Sequence, residues 1–142
     1  MIAAPIIAAS TQGTQLMTSA AAVSVCLILG ALAVFQGALV FGAPLGRFAW
    51  GGQHRVLPTK LRAGSVAAVL IYGVMAAVVL ARADLWRQEL SETMLRTATW
   101  VVVAYLLLGV GGNLASRSKS ERMVMAPVSA VLGVLTAVVA LN

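Results

Sequence analysis

The chain has 142 residues, 61% of them hydrophobic and only 10% charged, with a net charge of +6, one cysteine and one histidine. A soluble domain is nearer half apolar and a quarter charged, so these totals exclude a separate water-soluble catalytic domain and point to one bilayer-embedded unit. The lone cysteine excludes an internal disulfide and a CxxC motif, and a single His and Cys argue against a zinc or haem site, so no metal or cofactor is expected.

No charged side chain precedes Arg47. Residues 1–15 read as a weakly apolar leader, and a first transmembrane helix is predicted over 16–41, longer than the ~20 residues that cross the hydrocarbon. The run lacks the basic flank of a secretory signal and is too long for one, so it reads as a retained helix. Gly42-Ala-Pro-Leu-Gly46 breaks it, since Pro44 has no N–H and disfavours helix in the residue before it. A loop over 47–60 follows, with Thr59 fitting an N-cap for a second span over 63–81. Residues 82–96 form the mixed-charge segment. Trp86, Leu90 and Met94 recur every four residues and Glu92 and Arg96 are spaced to pair, which predicts a short interfacial helix or a helical extension of the third span. The third span is predicted over 97–112 and is closed by Gly111-Gly112-Asn113. After a short basic loop, Ser118-Lys-Ser-Glu121 matches a capping box at the head of a fourth span over 123–142. The predicted fold is an all-α bundle of four transmembrane helices with a short interfacial helical segment, in a single transmembrane domain over 1–142.

The first and third loops hold seven Lys/Arg and the middle one three. Positive-inside counting puts the first and third loops in the cytoplasm and both termini outside. Ten basic residues beside membrane spans read as topology signals and contacts for anionic lipid headgroups; no nucleic-acid role is expected. Two stripes of small residues predict close helix packing: Ala22, Cys26, Gly30, Ala33 and Gly37 in the first span, and Ala126, Ser129, Gly133 and Ala137 in the fourth. They serve either the chain's own bundle or a homo-oligomer or membrane-protein partner.

The predicted spans carry no Asp, Glu, Lys, Arg or His. Ion-coupled carriers and proton relays depend on such groups at membrane depth, so that chemistry is not expected. Gln36 reads as an interhelical hydrogen bond or, alternatively, a solute contact. Polar side chains gather in the two loops of the cytoplasmic face: Trp50, Gln53, His54, Arg55 and Arg62 in one, and Asn113, Ser116, Ser118, Glu121 and Arg122 in or beside the other. Glu121 is the acidic residue of that face. It is expected to cap its helix and pair with Arg55, Arg62 or Arg122; acid/base work with His54 is the alternative. Gly51-Gly52 permits a tight turn whose N–H groups could approach a phosphate, but the GxxxxGK[ST] pattern is missing, as are GxSxG and HExxH.

The first loop with Leu61-Arg62 and Ser65, and the segment from Asn113 to Arg122 with Pro127, resemble two signatures of a small four-helix integral membrane protein family of actinobacterial type. The resemblance covers most of the chain from the first span onward. It implies four helices and a bacterial inner membrane, and it brings no activity, cofactor or catalytic residue. The expected function is therefore non-enzymatic: an accessory or assembly subunit acting through helix packing and a basic cytoplasmic face. The alternatives are an oligomeric facilitator or channel for a neutral small solute, and an anionic-lipid-binding or interfacial enzyme using the cytoplasmic loops.

Overall fold

A computed structural model describes residues 3–87 and 89–142, with side chains from Thr11 onward. Four helices make up the bundle: α1 (Ala3–Val40), α2 (Thr59–Arg82), α3 (Glu92–Leu114) and α4 (Lys119–Leu141). Each is long and apolar enough to cross a membrane. The all-helical four-span architecture is the one expected from the hydropathy pattern.

The boundaries differ from expectation in several places. α3 continues through Gly111-Gly112-Asn113, expected to close it, to Leu114, because the Ala115 N–H still donates to the Gly111 carbonyl at 3.0 Å. α1 takes in the leader from Ala3 onward, with the leader's first two residues outside those described. Thr59 is the first residue of α2, and the extended N-cap position falls on Pro58. Pro58 contributes a fixed φ there, and its missing N–H is no loss ahead of the first turn. The middle connection is not an interfacial helix. Asp84 has φ 55, a left-handed conformation that ends α2, and the residues before Glu92 are irregular, with Gln88 outside the described set. Ser91 then caps α3 by accepting from the Met94 N–H at 3.3 Å. Glu92–Arg96 does extend the third span, but Glu92 pairs with Arg82 at 3.1 Å instead of with Arg96.

Packing runs from α2 to α1, from α1 to α4 and from α4 to α3, while the α2–α3 seam is thin. The core is Val25, Leu29, Met75, Val79, Leu106, Leu132 and Val139 with their neighbours, and a smaller cluster of Leu39, Ala49 and Leu57 lies under the first loop. The two small-residue stripes fare differently. In α4, Ala126 and Gly133 are buried, and a Cβ on Gly133 would stand 3.4 Å from the Leu107 side chain of α3. Ser129 and Ala137 are half-buried beside them. In α1, Ala22 is fully buried, Cys26, Ala33 and Gly37 are partly covered, and Gly30 is exposed. A Cβ at Gly30 or Gly37 would meet nothing within 4 Å, so that part of the stripe brings no helix of this chain close.

Candidate functional site

The first loop is folded back on the bundle by backbone conformations that few sequences reach. Trp50, Gly51 and Gly52 have φ of 56, 79 and 67 in succession. Glycine enters the left-handed region freely, but a tryptophan there needs outside constraint. Two contacts supply it. The Trp50 indole N–H donates to the Ser65 hydroxyl at 3.2 Å. Its ring also lies on Gly64, where an added Cβ would come within 2.6 Å of the indole edge. Gly46 lets the chain pass beneath the His54 carbonyl, which a Cβ would approach to 2.1 Å.

The third loop and the head of α4 meet this turn. Ser118 caps α4, accepting from the Glu121 N–H at 3.3 Å, and its hydroxyl donates to the Arg47 carbonyl at 2.5 Å. Only that half of the capping box forms. The Glu121 side chain does not return to the Ser118 N–H, which donates instead to the Ser116 hydroxyl at 3.1 Å. Glu121 crosses to the first loop, where its Oε2 accepts from the Gly51 N–H at 2.9 Å and from the Ser116 hydroxyl. The acceptor of the Gly51 N–H is thus the chain's own carboxylate, while the Gly52 N–H donates to the Ala49 carbonyl at 3.0 Å.

Glu121 is 8% exposed, and its partners are an amide and a hydroxyl. The expected ion pair with Arg55, Arg62 or Arg122 is not among the contacts of the described residues. Those arginines have other roles. Arg62 donates through Nε to the Leu57 carbonyl at 2.8 Å, and Arg122 donates to the Ser116 carbonyl at 3.2 Å. Arg55 is exposed, while its backbone carbonyl accepts from the Gly46 N–H at 3.1 Å. Charge pairing loses here because the loop amide lies within direct reach of the carboxylate, and hydrogen bonds to an ionic acceptor are strong ones.

Behind these contacts lies a cavity of about 470 Å³. Leu32, Phe35 and Gln36 line it from α1, Phe48, Ala49 and Trp50 from the loop, and Ala68 and Tyr72 from α2. α3 contributes Tyr105, Gly112 and Asn113, and α4 contributes Glu121, Met125, Val128 and Ser129. Tyr105 stands nine residues before the end of α3, so the cavity reaches roughly 13 Å into the bundle at 1.5 Å per residue. Asn113 donates both amide hydrogens, to the Met125 carbonyl at 3.2 Å and the Ser129 hydroxyl at 2.9 Å. Gln36 is 8% exposed, and its Oε1 is buried with no partner.

Of the residues singled out from sequence, Gln36, Trp50, Asn113, Glu121 and Ser129 line the cavity, and Ser116 and Ser118 hold Glu121 and the loop in place. Gln53, His54 and Arg55 are exposed and away from it, so His54 and Glu121 are not brought together. Tyr72 and Tyr105 are polar groups of the spans to which the sequence assigned no site role, and Phe35 and Phe48 were missed. The available signal was their polar or aromatic character in the halves of the spans nearest the two loops. No group of three His, Cys, Asp or Glu that could hold a metal occurs among the described residues. No protein-family model, curated protein or solved structure matches this chain.

Proposed function

We propose that the protein is a non-enzymatic membrane protein that binds a small solute in the cavity beneath its first and third loops, as the binding step of a facilitator or carrier. The observation that supports this is the cavity's composition. Apolar and aromatic walls with a few convergent polar groups, at about 470 Å³, are how small-molecule sites are built. Gln36 adds to it. A buried amide oxygen without a partner costs about 1–3 kcal/mol, and a ligand hydrogen reached by a turn of that side chain would recover it. The seven-to-three bias of basic residues orients the cavity toward the cytoplasm, with both termini outside, and the resemblance to actinobacterial-type chains suggests a bacterial inner membrane. Enzymatic use of the loops gains no support: His54 is exposed and apart from Glu121, and Glu121 is engaged in holding the loop.

Native mass spectrometry of protein extracted gently from its own membrane tests this. The expected spectrum carries a retained small mass that is lost in Gln36→Leu. A folded protein with no adduct, in wild type and variant alike, would overturn the reading. A second reading, an accessory subunit of a membrane complex, draws on the surface of α1 around Gly30 and Gly37, where no neighbour of this chain approaches. Partner subunits in the same spectrum, with the cavity empty, would move the weight there.

A further inference from the structure

We infer that the solute is an organic cation: a quaternary or protonated amine carrying an apolar alkyl or aryl group. This rests on the binding role proposed for the cavity and names the solute's chemical class, a charged one in place of the neutral solute considered from the sequence.

Charge distribution supplies the first argument. The chain is strongly basic, with ten Lys and Arg against four acidic residues. None of those ten lines the cavity, and the ionic side chain that does is Glu121. A pocket for an anionic headgroup would reverse that arrangement.

Aromatic placement supplies the second. The chain has three Trp, two Tyr and three Phe. Five of these eight, Phe35, Phe48, Trp50, Tyr72 and Tyr105, converge on this cavity from α1, α2, α3 and the first loop. Ring faces carry negative potential and attract ammonium groups, most strongly where water is excluded. The loop already shows the interaction once, with the Arg47 guanidinium 4.6 Å from the Phe48 ring centroid.

Hydrogen-bond polarity supplies the third. Both Asn113 amide hydrogens are used within the protein, which leaves its carbonyl oxygen for a ligand. The bonds of Glu121 fall on Oε2, so Oε1 is its unengaged oxygen among the described contacts. Gln36 belongs to the wall, and its partnerless Oε1, closed off as the side chain stands, becomes a further acceptor once that side chain turns. A protonated amine donates its N–H groups to such acceptors, a quaternary ammonium meets them through charge alone, and a carboxylate or phosphate is disfavoured by them.

The apolar group has a place as well. An apolar groove of about 300 Å³ runs along the thin α2–α3 seam, lined by Leu70, Val74, Met75 and Val101 among others, and Tyr105 belongs to both it and the cavity. A cationic head against Glu121 and the rings can thus trail its substituent between α2 and α3.

The test is calorimetric titration of the full chain in maltoside micelles. One probe is benzyltrimethylammonium; the other is 2,2-dimethyl-3-phenylpropan-1-ol, a neutral molecule of nearly the same shape. The cation is expected to bind roughly tenfold or more tighter than the alcohol, the scale of a desolvated cation–ring contact. Glu121→Gln should remove most of that preference. Should Glu121→Gln fail to fold, Tyr105→Leu serves, since Tyr105 is half-exposed and touches none of the loop contacts. It should weaken the cation about threefold more than the alcohol. Equal affinities for the two probes, or a preference that survives both substitutions, would overturn the cationic assignment and leave the cavity reading standing. Binding of neither probe would take down both.

Discussion

The two ends of the bundle are built differently. At the end with the first and third loops, α3, α4 and the two loops are joined by hydrogen bonds between backbone groups and side chains: Gly51 to Glu121, Ser118 to Arg47, Asn113 to Met125 and Ser129. At the opposite end, Arg82 and Glu92 form an ion pair whose acidic partner is 70% exposed. The first kind of contact fixes backbone positions to within a bond length and leaves a defined hollow between them. The second joins a largely buried arginine, 11% exposed, to a carboxylate open to water, and an ion pair solvated on one side is worth little. Gly46, Gly51, Gly52, Asn113, Ser116 and Ser118 stand at the first of these ends, beside the cavity.

That contrast can be broken from the strong side first. Gly52→Ala should be the most damaging change. A Cβ there would stand 2.4 Å from the Ser118 Cβ on a backbone at φ 67, and the clash and strain together should cost about 3 kcal/mol. Thermal unfolding in detergent, followed by far-ultraviolet circular dichroism, reads this directly, and an unchanged midpoint would mean the two loops are not in contact. Glu121→Ala comes next. It strips the Gly51 N–H and the Ser116 hydroxyl of their acceptor, at about 2 kcal/mol. Hydrogen exchange at Gly51 should quicken with it, and slow exchange there in the variant would show that another group holds the turn. Asn113→Ala loses two interhelical bonds between α3 and α4; in a membrane such bonds sum to about 1 kcal/mol. A steric-trap or denaturant titration that finds no loss would place the α3–α4 contact wholly in apolar packing. Glu92→Gln should be the mildest, within about 0.5 kcal/mol and insensitive to added salt in the variant. A drop as large as that of Glu121→Ala would erase the difference between the ends.

The four helices were legible because hydropathy is contiguous in sequence: each span announces itself within its own twenty-odd residues. The same locality misled at the middle connection. Trp86, Leu90 and Met94 have helical spacing, yet Asp84 leaves the helical region and Ser91 restarts it, so the three never share a helix. Glu121 shows the other limit. Its spacing from Ser118 fits a capping box, and Ser118 does cap, but the carboxylate bonds a backbone amide seventy residues earlier. No pattern of residue types marks a partner at that distance when the partner is a main-chain N–H. The cavity was illegible for a related reason. Its aromatic residues come singly from different elements, and each alone reads as ordinary apolar filling.

The left-handed turn at Trp50–Gly52 also sets an order of assembly. Its closing contact, Glu121, belongs to α4, while the turn itself follows directly on α1. During synthesis the first loop therefore emerges long before the group that locks it. It waits through the insertion of α2 and α3 with an unpaired Gly51 N–H, and takes its final form only when α4 arrives. Arrival of α4 thus completes two things in one step, the last seam of the bundle and a wall of the cavity, so a chain stalled before that point has spans in the membrane but an unfinished cavity.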